Sequence, residues 1–171
     1  MNYAVGDIGN TLTKISLFGK NLKIIRSYNI ETAKIIKLNY QKNFFNKIFK
    51  KNTNKKILFS SVVPYAYKLI KLYLKKKKIK TYEIKDFKLE KIITLNIRKI
   101  NELGSDRIAN AIAAYDKYKK NCLIIDFGTA TTFDIIHKPG VYEGGVIAPG
   151  VKLSINNLKN STALLPVFSL K

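Results

Sequence analysis

Apolar and polar positions alternate along this chain in two rhythms. From Tyr3 to Ile30 the apolar residues come in three short bursts, 3–7, 12–18 and 22–30, separated by the turn formers Gly9-Asn10 and Gly19-Lys20-Asn21. That spacing predicts three strands joined by tight turns. Over 32–50 the rhythm becomes helical, with Ile35, Ile36, Leu38, Phe44, Phe45 and Ile48 on the pattern and Glu31 and Thr32 at its start. The run KILFSSVVP at 56–64 reads as a buried strand that Pro64 ends. A helix is predicted over 65–77, with Leu69, Ile70 and Tyr73 on one face, then a strand at 81–84 and a weak strand or loop at 88–97. Ala109, Ala111, Ala113 and Ala114 favour a helix over 105–119, striped by Ile108, Ile112 and Tyr115.

After Asn121 the opening pattern restarts. Cys122–Asp126 and Thr132–His137 form a predicted hairpin around FGTAT, GVYEGGVIAP supplies a third strand, and Val151–Leu158 a short helix. The second unit thus repeats the start of the first. Strands mixed with alternating helices predict an α/β architecture with a mixed sheet. The expected division is 1–119 and 120–171, with no Gly-, Pro- or Ser-rich linker between the two parts.

Composition adds little to this picture. The chain has 171 residues and is 46% hydrophobic, enough for a core and unlike a disordered chain. Its net charge is +21, from 32 basic and 11 acidic residues, yet only Arg26, Arg98 and Arg107 are arginines. Base and phosphate reading favours arginine forks, so this lysine excess is read as a solvated surface rather than a specific nucleic-acid site. The KKKKIK run at 75–80 suits a helix C-terminus. Cys122 is the only cysteine, which excludes an internal disulfide framework, and it is expected to be a buried thiol. No segment approaches the ~20 apolar residues of a membrane span, and the N-terminus lacks signal-peptide features. The expected location is the cytoplasm. His137, the only histidine, ends a predicted strand and carries no assigned role.

The chemistry concentrates in four short stretches. In GDIGNT, Gly9 is expected to free the backbone so that the turn aims its N–H groups, with Asn10 and Thr11, at an anion. Asp7 at the strand end can approach a magnesium ion. In DFGTATT, Gly128 plays the same part, Thr129, Thr131 and Thr132 add hydroxyl donors, and Asp126 is a second carboxylate. Either turn alone is an ordinary hairpin; two copies at matching places in a repeat point to a polyphosphate clamped from both sides, with a metal between the carboxylates. In GSDR, Ser105 or Asp106 could simply cap the following helix. Asp106 could also accept a proton from an alcohol in phosphoryl transfer, with Arg107 forking a substrate carboxylate. In YEGGVIAPG the paired glycines allow close backbone approach, either in packing or at a ligand.

Together, DIGNT, GSDR, DFGTATT and GGVIAPG, in this order and with SSVVP at 60–64 and the terminal STALLP, resemble the type III pantothenate kinases. These belong to the superfamily of acetate and sugar kinases, heat-shock chaperone ATPases and actin. The resemblance implies two ribonuclease-H-like units, the second incomplete. It implies ATP-dependent phosphorylation of pantothenate to 4′-phosphopantothenate, the first step of coenzyme A synthesis, in a homodimer. By the family's motifs, Asp106 would be the catalytic base, and Gly104, Ser105 and Arg107 would join it in binding pantothenate. Asp7, Gly9, Asn10, Thr11, Lys14, Gly128, Thr129, Thr131 and Thr132 would line the ATP phosphates, and Asp7 and Asp126 the metal site. The cofactors implied are ATP-bound Mg2+ and a monovalent cation, K+ or NH4+; no specific nucleic acid or membrane partner is implied.

Two features depart from the family. A Tyr-Asp-Asn-Pro run that often precedes GxDR is replaced by Ile97-Arg98-Lys99-Ile100. The family chain also continues past the STALLP region, by about two strand–helix crossovers of ~30 residues each. We therefore expect these 171 residues alone to bind ATP poorly and turn over slowly, a normal kinase rate being the contrary result. The alternative readings are a non-catalytic relative that keeps the fold for regulation or binding, and, ranked last, a nucleic-acid binder. Retention of Asp7, Asp106, Arg107 and Asp126 together argues against the first; the second predicts a steep salt dependence of DNA retention.

Overall fold

A computed structural model describes residues 2–49 and 53–161. Compactness groups the residues up to Lys88 with Leu103–Ala109 in a first unit, and Leu89–Glu102 with the residues from Asn110 in a second. By this grouping, residues 89–102 and 110–119, expected in the first part, cluster with the second unit.

In the first unit the three bursts are β1 (Asn2–Ile8), β2 (Leu12–Phe18) and β3 (Ile24–Glu31), an antiparallel meander. The other edge of β1 pairs in parallel with β4 (Thr53–Ser61), and β4 with β5 (Lys80–Glu83), giving the order β3-β2-β1-β4-β5. Alternation sorts β1 by face: Ala4, Gly6 and Ile8 are buried, while Tyr3, Val5 and Asp7 are exposed. Gly6 is required by packing, since a Cβ there would overlap the ring of the fully buried Phe59.

The single helix expected over 32–50 is two helices, α1 (Thr32–Ile35) and α2 (Leu38–Ile48), separated where Lys37 adopts an extended conformation. At ~100° per residue a straight helix would place Ile35 and Phe44 on opposite faces. The break lets Ile35, Phe44, Phe45 and Ile48 all enter the core. Pro64 ends the strand stretch as expected and opens α3 (Pro64–Lys76), where its missing N–H costs nothing. Ile8, Ile15, Ile57 and Phe59 of the sheet and Ile35, Phe45, Ile70 and Leu74 of the helices belong to one buried cluster. Each such side chain contributes roughly 1.5–3 kcal/mol by leaving water. Tyr73 stacks on Phe45 at 5.8 Å, and burial pushes its phenol above the ordinary value, marking it as a core residue. The lysine run closes α3: Lys75 and Lys76 fill its last turn, Lys78 takes a φ of 56°, and the Ile79 N–H returns to the Leu74 carbonyl at 3.0 Å.

Helix α4 (Ser105–Tyr118) lies mostly where the alanines predicted it. In the second unit β6 (Thr94–Leu95), β7 (Cys122–Phe127), β8 (Ala130–His137) and β9 (Val141–Pro149) form a sheet in the order β6-β9-β8-β7, followed by α5 (Val151–Ser161). The three-strand meander is confirmed, and the weak stretch at 88–97 adds a fourth strand, β6, parallel to β9. Among the described residues no strand pairs with the outer edge of β7. Its Leu123, Ile125 and Phe127 are 63%, 44% and 69% exposed, whereas Ala4 and Ile8 at the matching places in β1 are buried. Cys122 is half-buried rather than buried, because it starts that edge strand; its Sγ lies 3.3 Å from the Lys120 carbonyl. The STALLP stretch beyond Ser161 lies outside the described residues. No helix among the described residues is long and apolar enough to cross a membrane.

Candidate active site

In the first unit the turn between β1 and β2 is closed by the Gly9 N–H donating to the Leu12 carbonyl at 3.0 Å. Gly9 does not occupy the left-handed region; a Cβ there would sit 3.1 Å from that carbonyl oxygen, a tight contact that the turn would have to relieve by shifting a few tenths of an ångström. The turn is pinned from behind by Thr32, the first residue of α1. Its hydroxyl donates to the Gly9 carbonyl at 2.7 Å and lies 3.0 Å from the Thr13 hydroxyl, and its N–H donates to the Thr11 carbonyl at 3.0 Å. Thr32 and Thr13 are buried, whereas Asn10 and Thr11 are exposed, so the support is inside and the polar tip outside. Asp7 sits in β1 opposite Lys14 of β2 and beside Ser60 of β4, so the three share one sheet face, and Asp7 and Lys14 are exposed on it.

The GSDR stretch joins this end of the sheet. The Val62 N–H donates to the Ile8 carbonyl at 3.1 Å, and a Cβ on Gly104 would lie 3.4 Å from Val62 Cγ1. The C-terminal ends of the parallel strands β1 and β4 thus meet the N-terminus of α4, the position where ligands bind in open α/β sheets. Gly104, rather than Ser105 or Asp106, caps the helix, its carbonyl taking the Ile108 N–H at 3.2 Å. Ser105 is buried in the first turn, while Asp106 and Arg107 are half-buried. The Asp106 carboxylate folds back over Gly104, where a Cβ would overlap Oδ1, and accepts the Arg107 N–H at 2.8 Å.

In the second unit the FGTAT turn is closed by the Gly128 N–H donating to the Ala130 carbonyl at 3.0 Å. Gly128 differs from Gly9: a Cβ there would make only an ordinary 3.5 Å contact, so nothing within the described residues demands glycine. Asp126 pairs in register with Thr132, and the two share a face; Thr131 pairs with Phe127 on the opposite face and is buried. The Thr132 Oγ1 is buried without a hydrogen-bond partner among the described residues, and Thr129 is exposed at the turn. Asn110 of α4 donates to Asp126 Oδ2 at 2.9 Å. The fourth motif supports this turn from beneath. The Gly150 N–H donates to the Thr129 carbonyl at 3.2 Å, and a Cβ on Gly150 would overlap the Gly128 and Thr129 carbonyl oxygens.

Type III pantothenate kinase is the description of the family model that matches residues 4–171. The chain belongs to that family. A type III pantothenate kinase from Pelagibacter ubique is 44% identical over 168 residues, covering 98% of this chain and 66% of the relative. Another from Thermosipho melanesiensis is 40% identical, covering 96% and 66%. The chain therefore spans slightly less than two thirds of the length of these type III pantothenate kinases. Among solved structures, a putative 2-dehydro-3-deoxygalactonokinase from Sinorhizobium meliloti matches with a TM-score of 0.55 at 9% identity, covering 95% of this chain and 58% of that one. The ethanolamine utilization protein EutJ from Carboxydothermus hydrogenoformans gives 0.54 at 10% identity, covering 94% and 57%. These two likenesses establish the actin-like ATPase fold.

Against the family pattern, the Ile97 side chain that stands in the Tyr-containing run lies near Gly144 of β9, whose Cβ would come within 3.5 Å of its Cγ2. Among the described residues no three carboxylate, histidine or cysteine side chains converge to hold a metal. Asp7 and Asp126 are exposed single carboxylates, which fits Mg2+ that is carried by nucleotide phosphates and needs only one or two protein carboxylates. The positions that sequence reasoning missed are Thr32, Asn110 and Gly150. Each acts behind a motif; only Thr32, a hydroxyl at a helix start, left a local signal.

Proposed function

We propose that the protein transfers the γ-phosphoryl group of ATP to the hydroxyl of pantothenate, giving 4′-phosphopantothenate and ADP. The observation that carries this reading is the packing, within the first unit, of Gly104 at the start of α4 against Val62, whose N–H bonds the end of β1 just before the Gly9–Thr11 turn. Membership of the type III pantothenate kinase family supports it.

The Asn10 amide, the Thr11 hydroxyl and the Lys14 ammonium bind phosphate oxygens at the turn that the Gly9 N–H closes, and Thr129 and Thr132 do so at the turn that the Gly128 N–H closes; Thr131, being buried, supports that second turn from the other face. Gly104 and Arg107 hold pantothenate, Arg107 at the carboxylate, and Ser105, being buried, supports the helix start beneath them. Asp106 takes the proton of the hydroxyl as its oxygen bonds to the γ-phosphorus. The bond from that phosphorus to the bridging oxygen breaks, and ADP leaves with the electron pair. Asp7 and Asp126 would each offer a carboxylate to ATP-bound Mg2+, which would supply charge neutralisation at the phosphates. The same reading implies K+ or NH4+ as a second activating ion, a homodimer as the working assembly and a cytoplasmic location.

The test is pantothenate-dependent ADP release by the full gene product and its Asp106→Asn variant. Loss of the base is expected to lower kcat by about 10²–10⁴ with Mg·ATP affinity kept. A variant within about tenfold of wild type would remove Asp106 from this role. Absence of pantothenate-dependent ADP from the wild type would overturn the assignment as a whole.

A further inference from the structure

Asn110 stands in the interior of α4 between Ala109 and Ala111. Asparagine is a poor helix former because its amide competes for backbone groups. Here the amide is engaged elsewhere: Nδ2 donates to Asp126 Oδ2 at 2.9 Å, across the second unit from helix to strand end. Asp126 is exposed at the end of β7, where a carboxylate is otherwise free to rotate about χ1 and χ2. One hydrogen bond to Oδ2 selects a single rotamer and leaves Oδ1 with no hydrogen bond among the described residues. The bond is charge-assisted, the stronger kind. Asn110 also follows Asp106 by four residues, one helical turn, on the same helix.

We propose that Asn110 is a positioning residue: its side-chain amide fixes the Asp126 carboxylate in the orientation that receives the cation carried by the nucleotide phosphates. The inference rests on the kinase reading only for the role of Asp126. It assigns Asn110 no contact with substrate.

The experiment uses the full gene product and the variants Asn110→Ala, Asn110→Asp, Asp126→Asn, Asn110→Ala/Asp126→Asn and, as the double swap, Asn110→Asp/Asp126→Asn. Three readouts are taken: Mn·ADP binding by water-proton relaxation, the separate KM values for Mg·ATP and pantothenate, and the melting temperature. Asn110→Ala is expected to weaken Mn·ADP binding and raise the Mg·ATP KM about tenfold, the weight of one hydrogen bond to a charged group. The pantothenate KM is expected to stay within about twofold, because the amide acts on Asp126 alone. Asn110→Asp keeps the shape but loses the donor and sets two carboxylates against each other, so it is expected to be worse than alanine. The double swap restores the hydrogen bond with its partners exchanged. It is expected to recover the melting temperature of Asn110→Asp but not Mn·ADP binding.

A purely structural role predicts that Mn·ADP binding tracks the melting temperature, so that the double swap recovers both. That recovery, an unchanged Asn110→Ala, or an alanine effect that persists undiminished in the Asp126→Asn background would each overturn the proposal. If the wild type binds Mn·ADP but makes no phosphopantothenate, the kinase reading fails while Asn110 is still tested by binding. If the wild type binds no Mn·ADP, the proposal falls as well.

Discussion

Replacing Gly104 by alanine tests the placement of the Asp106 carboxylate, the proposed base, without touching it. The added Cβ would overlap Asp106 Oδ1 and lie 3.4 Å from Val62 Cγ1. Val62 is held by its hydrogen bond to Ile8, so the carboxylate, the far end of a flexible side chain, is the group that moves. Restoring van der Waals separation takes a shift of about 1 Å, and a misplacement of that size near the chemistry costs on the order of 100-fold. In free energy this is about 2.7 kcal/mol of transition-state stabilisation. The cost in fold stability is smaller, about 1 kcal/mol, for exchanging glycine for alanine at a helix N-cap. The assay is ADP release under saturating pantothenate, with thermal melting alongside. We expect kcat to fall about 100-fold while the Mg·ATP KM stays within about twofold. Adding Gly104→Ala to Asp106→Asn is expected to cost little more, since both act on one group. Gly128→Ala, whose Cβ meets only an ordinary contact, is the control for the melting temperature alone, since its turn belongs to the proposed phosphate site. A Gly104→Ala enzyme within about threefold of the wild-type kcat would refute the argument that Gly104 is there to seat Asp106.

Further predictions concern what lies behind the motifs. Gly6→Ala should cost about 1–3 kcal/mol by overpacking and Phe59→Ala about 3–5 kcal/mol by truncation; the double variant should cost less than their sum in denaturant titrations, because the alanine fills part of the space the ring leaves. Thr32→Val strips a partner from the Gly9 carbonyl and the buried Thr13 hydroxyl. It should cost about 1–3 kcal/mol in denaturant titrations and raise the Mg·ATP KM, whereas an unchanged KM would separate Thr32 from the turn. Gly150→Ala forces its Cβ against backbone oxygens of Gly128 and Thr129, which cannot swing aside. It should lower the melting temperature and weaken Mn·ADP binding together, and a loss of one without the other would count against the turn being its target.

Local pattern carried the element order because strands and helices have different apolar periods, and Gly, Pro or Asn marks the ends of several strand stretches. It failed where geometry beyond one turn decides. The helix over 32–50 looked continuous because helical spacing is satisfied on either side of Ile36 and Lys37; only the need to bury both Ile35 and Phe44 breaks it. Thr94–Leu95 became a strand through the neighbour that β9 offers, which no local window contains. Cys122 looked buried from its apolar surroundings, but an edge strand leaves one side open.

The same limit runs through the site. The sequence by itself determined the fold class, the internal repeat and the four motif stretches, because turn chemistry and residue type are local properties. It could not tell Gly9 from Gly128, since both sit in Asp-x-Gly turns and differ only in what stands 3.1 or 3.5 Å from an added Cβ. Tertiary structure alone decided that Gly104 seats the Asp106 carboxylate, that Thr132 and not Thr131 shares a face with Asp126, and that Thr32, Asn110 and Gly150 brace the two turns. Those partners are 23, 16 and 21 or more residues from the groups they hold, as Thr32 to Gly9, Asn110 to Asp126 and Gly150 to Thr129. Such contacts form only once strand pairing and helix packing bring distant segments together, so their physical cause is the fold rather than the neighbouring sequence.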